Sequence, residues 1–215
     1  MSSKEKAKRY FVFLIGLFVN SLGVSFITKA SLGTSPISSV PYVLSIIFPF
    51  SLGQFTFVFN LLIIALQIVI LRKNFKKESL LQLPVVFLFS CFIDLTMYLL
   101  SFMSPQTYVI KFTELIIGCG ILGFGVYIEI LADVVMLPGE ALVRAISSTW
   151  NTDFGKTKVA VDAAMSVSAA IIAIIALGGL KGVREGTVVA AILVGMTARA
   201  INKKLHFMPK ILFKE

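Results

Sequence analysis

Glu140 and Arg144 stand four residues apart, the spacing that sets two side chains on one face of a helix, and neither belongs in hydrocarbon. Two readings of the pair are open. The side chains can bond to each other, with Glu140 also in a first helical turn where a carboxylate favours the helix N-terminus. Alternatively, Arg144 holds the negative group of a bound solute while Glu140 tunes it or takes a proton. Asp162 adds a second titratable position, and Asn60 occupies the matching place 102 residues earlier. An acid in one copy and an amide in the other would suit proton or cation coupling. The plainer reading is a hydrogen-bonded acid paired with Lys158.

The offset of 102 residues recurs without a gap. It carries Gly23 to Gly125, Ala30 to Ala132, Pro36 to Pro138 and Gly53 to Gly155, so the chain reads as two copies of one membrane unit. In each copy a loop turns into a short apolar segment at a proline. These segments, residues 36–49 and 138–151, are shorter than the ~20 residues that cross a bilayer. A helix opening near the membrane centre would present unpaired N–H groups and a positive dipole end, and proline at its first position loses no bond. Two such starts, from Ser35, Pro36 and Ser38 on one side and Pro138, Gly139 and Glu140 on the other, would converge on a polar or anionic solute. Alternatively, Ser35 and Pro36 simply cap a packing helix.

Around these segments lie the elements that must hold them. With 57% hydrophobic and 14% charged residues, the chain is too apolar for a soluble globule. The net charge of +9 would suit nucleic acid in a soluble protein. Here the basic residues gather just outside apolar runs, at 4–9, 72–77 and 203–214, which points to membrane orientation and away from nucleic acid. Spans are predicted over residues 10–28, 54–71, 80–100, 109–131, 158–177 and 187–201. The first is read as a retained span rather than a cleaved signal. Cys91 and Cys119 both fall in spans and read as buried packing thiols.

Charge parity decides the topology. If residues 36–49 crossed the membrane, the basic 72–77 loop would face away from the basic N-terminus, against the positive-inside rule. If the segment dips in and returns, both chain ends and that loop share the cytoplasmic side. Each unit then has three spans plus one re-entrant half-helix, and an odd number of crossings inverts the second unit. The predicted fold is an all-α polytopic membrane protein: a first repeat at 1–103, a second at 104–201, and a basic tail at 202–215 lying on the cytoplasmic membrane surface.

Asp94, Glu114, Glu129 and Asp133 are further acids in or near spans; Glu114 and Asp133 read as interfacial, Asp94 and Glu129 as deeper. Arg199 can snorkel. His206 stands alone in the tail, so a zinc site has no support. Gly118-Cys-Gly120-Ile-Leu-Gly123 spells a dinucleotide fingerprint, but in mid-span with no strand before it, and reads as helix packing. Phe154-Gly-Lys-Thr157 lacks the first glycine of a phosphate loop.

The runs Leu32-Gly-Thr-Ser-Pro-Ile-Ser-Ser-Val-Pro41 and Leu137-Pro-Gly-Glu-Ala-Leu-Val-Arg144, each followed by a glycine-containing turn and a span, resemble the bacterial YczE/YyaS/YitT-type integral membrane family. Gly182-Val-Arg-Glu-Gly-Thr187 resembles that family's run before the last span, and the likeness extends from about residue 10 to 203. That family's first loop commonly carries Gly-Pro-Trp-Asp-like residues where this chain has Thr34-Ser-Pro-Ile37, so no first-module carboxylate role transfers. The resemblance implies a polytopic membrane protein without a settled substrate.

The sequence therefore suggests a secondary transporter in the plasma membrane, multi-pass, with both termini cytoplasmic. It would carry a small polar or anionic solute and use no cofactor, metal or catalytic group; homodimerisation is open. Ser35, Pro36, Ser38, Pro138, Gly139, Glu140 and Arg144 would line the site, with Asn60 and Asp162 as the coupling pair. The alternatives are a channel of the same architecture, or a non-transporting accessory or sensor protein that binds a lipid or protein partner.

Overall fold

The computed structural model describes residues 3–213; residues 1, 2, 214 and 215, which the 1–103 and 202–215 segments include, lie outside it. Every regular element among the described residues is helical. The order is α1 (Ser3–Lys29), a 3₁₀ turn (Pro36–Ser38) running into α2 (Ser39–Ile47), α3 (Leu52–Leu71), α4 (Gln82–Leu99), α5 (Tyr108–Ala132), α6 (Pro138–Trp150), α7 (Phe154–Leu177), α8 (Glu185–Lys204) and α9 (Met208–Leu212). Five of these, built on α1, α3, α4, α5 and α7, are long and apolar enough to cross a membrane, and the chain is a membrane-embedded helical protein. α8 has 20 residues but carries Glu185, Arg199, Lys203 and Lys204, and it is not among the five.

Local chemistry explains the helix ends. α3 opens on a capping box in which Ser51 Oγ accepts from Gln54 N and Gln54 Oε1 accepts from Ser51 N, both at 3.0 Å. Asp153 Oδ1 accepts from Lys156 N at 2.9 Å to start α7. α7 stops at Gly178, whose φ of +68° is the left-handed position that suits glycine. α2 and α6, of 9 and 13 residues, are too short to span, and both belong to a proline-led start. The first is shorter than its sequence suggests: three residues wind as a 3₁₀ turn and α2 ends at Ile47, before Pro49.

The core is the antiparallel crossing of α1 and α5. Gly16 lies against Ile128 and Glu129, Gly23 against Leu122, Gly125 against Asn20, and Gly118 against Phe26 and Ile27. Without a solvent-driven hydrophobic force between helices in lipid, such close backbone approach is what makes the contact favourable. α4 joins α1 through Ser25 Oγ and Thr96 Oγ1 at 2.7 Å and the Phe18–Phe92 edge contact at 5.5 Å. α8 joins α5 where Gly123 meets Val194 and Thr197. Around this centre α3 packs on α4 and α6, and α2 packs on α3 and α7. α7 rests on α6 but makes next to no contact with α8.

Two features were not foreseen from the sequence. The tail packs back on the helices: Phe213 is buried with Tyr127, Ile128 and Leu131, and the Arg9 guanidinium lies 4.3 Å above its ring. Lys8 Nζ donates to the Leu212 carbonyl, so the two ends of the described chain meet. Cys119 is buried in the core, whereas Cys91 is exposed on α4 and packs against little.

Candidate functional site

The two proline-led starts meet. Gly139, second residue of α6, has the Ile37 side chain against its Cα, in the place a Cβ would occupy. Ile37 is itself the second residue of the 3₁₀ turn. Leu137 and Ser35, the residues before each start, have extended backbone and make no side-chain cap. The Ser35 hydroxyl instead donates to Ser38 Oγ at 2.9 Å, and the Ser35 carbonyl accepts from Ser39 Oγ at 3.0 Å. All three serines are buried, as is Pro36. Ser35 and Ser38 are therefore near the meeting point but satisfied by each other, and an apolar methyl fills the position expected for a ligand.

The loop that leads to Pro36 is held from the other half of the chain. Gly186 N donates to the Leu32 carbonyl at 2.8 Å, and Thr34 N donates to Thr187 Oγ1 at 3.3 Å. Gly33, at φ +121°, lies against Thr187, where no Cβ would fit. This gives Gly186 and Thr187 a physical role: they dock the first loop. On the other side, Gln67 of α3 donates from Nε2 to the Pro138 carbonyl at 3.1 Å, and its side-chain amide pairs with that of Gln82 at 3.3 Å in both directions. Both glutamines are buried. Neither was singled out from sequence, although a buried glutamine in an apolar span is a usable signal because its four bonding positions must be met inside the protein.

Glu140 lies within electrostatic reach of Lys158 and Asp162 on α7 and of Glu129 on α5. Lys158 Nζ and Asp162 Oδ1 are 2.9 Å apart, one turn along the helix, so the plainer reading of Asp162 is realised. Glu129 Oε1 accepts from Asn20 Nδ2 at 2.9 Å across the α1–α5 crossing. Glu140 thus has two acids and one lysine within electrostatic reach, and the lysine is already bonded to Asp162, a balance that favours a proton or cation over a further negative charge. Among the described residues no three acids, histidines or cysteines converge as metal ligands.

Arg144 does not share this cluster. It is exposed on α6 and makes no ion pair with Glu140 among the described residues, although helical spacing puts them on one side. The nearest basic influence on Glu140 comes instead from Lys158 of α7, whose ammonium is bonded to Asp162. Asn60 is buried and bonds within its own helix, Nδ2 donating to the Thr56 carbonyl at 2.8 Å. It makes no hydrogen bond to Asp162 among the described residues.

The remaining acids sort by what surrounds them. Asp94, expected deep in a span, caps a helix from outside: Oδ2 accepts from Ser51 Oγ at 2.7 Å and Oδ1 from Gly53 N at 2.8 Å, at the start of α3. Glu114 on α5 has one carboxylate oxygen buried with no hydrogen-bond partner among the described residues. A cavity of about 450 Å³ opens between Ser166 and Ala170 of α7 and the turn into α8, at Leu180, Val183, Arg184 and Glu185.

No curated protein and no solved structure matches the chain. Residues 7–203 match the pattern of a family described as of unknown function, DUF6198, and the chain belongs to that family.

Proposed function

We propose that the protein is a secondary transporter of a small polar or anionic solute, built as two inverted repeats with the solute bound where the two half-helix starts face each other. The observation that carries this reading is the contact of Ile37 with Gly139. These positions are 102 residues apart, the repeat offset, and equivalent positions of two copies touch only beside the axis that relates them. The α1–α5 crossing supports the same axis. The contact of Gly23 with Leu122 is the mate of that between Gly125 and Asn20, and Gly16 with Glu129 is the mate of Gly118 with Ile27. Likewise α3 on α6 answers α2 on α7. Because α1 and α5 run antiparallel, such an axis lies across them, in the membrane plane, and the second copy is upside down.

The copies differ in state. α3 is packed on α4, while α7 makes next to no contact with α8. Two copies in different arrangements about one axis can exchange them, with α7 closing on α8 as α3 leaves α4, and the site is then reached from alternate sides. In this scheme Ile37 plugs the midplane in the present state. Glu140, with Asp162, Lys158 and Glu129, carries the coupling proton or cation, and Arg144, without an acid partner among the described residues, is available to a solute's negative group.

Purified protein in proteoliposomes, screened against small polar and anionic metabolites for uptake and for thermal stabilisation, tests the proposal. Saturable uptake that falls several-fold in Arg144→Ala and in Asp162→Asn is expected. Non-saturating ohmic current would make the protein a channel. If no solute moves or stabilises it, and both variants behave as the wild type in cells, transport is refuted and an accessory or sensor role takes its place.

A further inference from the structure

A second cavity of about 450 Å³ lies between α3 and α4, at the end of the bundle where α3 begins and α4 stops. On α4, Phe87, Ser90, Cys91 and Asp94 form one stripe at helical spacing; Phe57 and Val58 of α3 face it, and Phe50 and Phe55 close its end. The aromatic rings are set in two edge-on pairs, Phe50 with Phe55 at 5.9 Å and Phe57 with Phe87 at 6.0 Å. The cavity opens sideways between Val58, Phe87 and Cys91, all exposed.

Its floor is polar in a way that packing does not explain. Ser90 is 5% exposed, lines the cavity, and its hydroxyl has no hydrogen-bond partner among the described residues. A serine in a helix ordinarily back-bonds to the carbonyl one turn earlier, and a buried unpaired hydroxyl is costly. Beside it, the Asp94 carboxylate uses two of its roughly four accepting positions on Ser51 and Gly53, leaving others for a donor. Among the described residues Asp94 is the sole charge in the lining, with no basic side chain to balance it.

We propose that this groove binds an amphiphilic amine: a cationic ammonium seated against Asp94 and the phenylalanine faces, donating to Ser90 Oγ, with its apolar body lying along Phe57, Val58 and Phe87. Aromatic faces beside a carboxylate attract an alkylammonium by cation–π and direct charge interaction, strengthened where water is excluded. The lining has no cation for a phosphate, so the occupant carries ammonium alone rather than a zwitterionic lipid headgroup. The site stands apart from the half-helix starts and does not depend on the transport reading.

Cys91, in the lining, reports occupancy, and buried Cys119 is the internal control. With the purified full chain, the rate of maleimide alkylation at Cys91 is read by mass spectrometry in the presence of decylammonium or decyl sulfate. Decylammonium is expected to slow alkylation by roughly five- to tenfold more than decyl sulfate, the range a partly desolvated cation–π and carboxylate contact supplies. Asp94→Asn should abolish that difference. Because Asp94 also holds the start of α3, Val58→Trp provides a second variant that narrows the mouth without touching the carboxylate, and it too should remove the protection while Cys119 stays unreactive. Equal protection by the two amphiphiles would show a groove for any alkyl chain and overturn the proposal, as would no protection by either or an Asp94→Asn protein that still prefers the amine.

Discussion

Replacing Gly23 by alanine tests the α1–α5 crossing and the symmetry inferred from it. A Cβ at Gly23 would lie 2.5 Å from Leu122 N and Cα and 2.7 Å from its Cβ. These are backbone or backbone-fixed atoms, so no side-chain rotation relieves the overlap. The helices must move apart by about 1 Å to restore an ordinary carbon contact of ~3.5 Å, loosening every neighbour along the crossing. Overpacking of this kind costs about 1–3 kcal/mol, with the upper half expected where backbone is struck, and alanine's better helix propensity returns about 1 kcal/mol. At Gly120 of the same helix pair nothing lies within 4 Å of the added Cβ, so only the propensity gain remains. Gly23→Ala and Gly120→Ala should therefore differ by about 2–3 kcal/mol, which for a chain of this size is roughly 5–10 °C in Tm. Gly125→Ala, whose Cβ would lie 2.5 Å from Asn20 N, should match Gly23→Ala. Thermal unfolding of the purified protein in one detergent measures all three. Equal Tm shifts for Gly23→Ala and Gly120→Ala would refute the close crossing, and a harmless Gly125→Ala beside a damaging Gly23→Ala would refute its symmetry.

At Gly139 the added methyl meets the end of a flexible side chain, Ile37, so Gly139→Ala should cost less, about 1 kcal/mol from a displaced rotamer, and Ile37→Ala in the same chain should recover it. A double-mutant cycle in Tm that shows no coupling would separate the two half-helix starts. For the topology, Phe75→Cys, in the basic turn between α3 and α4, should resist an impermeant thiol reagent in intact cells and react once they are permeabilised; labelling from outside contradicts the re-entrant arrangement.

The backbone-setting residues made the architecture readable. Pro36 and Pro138 do start helices, and Gly23 and Gly125 do mark a close helix crossing, because a proline or glycine states a local constraint that survives drift in the apolar positions around it. Ile37 was not readable in this way. It is one apolar residue among many, and its place opposite Gly139 exists only once the two starts are brought together. Depth in a span did not reveal neighbours: Asp94 was read only as one of the deeper acids, but α3 begins beside it and uses both of its oxygens. In the basic tail the charges were visible, and the apolar cluster that receives Phe213 was not.

The difference between the two halves lay within reach once the repeat offset was applied to polar residues as well as to glycines and prolines. Two polar links hold α3 to α4: the Gln67–Gln82 amide pair near one end and Asp94 on Ser51 and Gly53 at the other. Moved on by 102 residues, the first pair becomes Ala169 and Arg184, and Asp94 becomes Met196. Neither replacement can form the bond. A neutral amide bond is worth about 0.5–1.5 kcal/mol and bonds to a charged carboxylate about 1.5–3, so the second half lacks several kcal/mol that close the first. The positions that match across the 102-residue offset carry no such links where α7 makes next to no contact with α8, so in the proposed transport cycle a change of state would break polar links in the first half with no counterpart to break in the second.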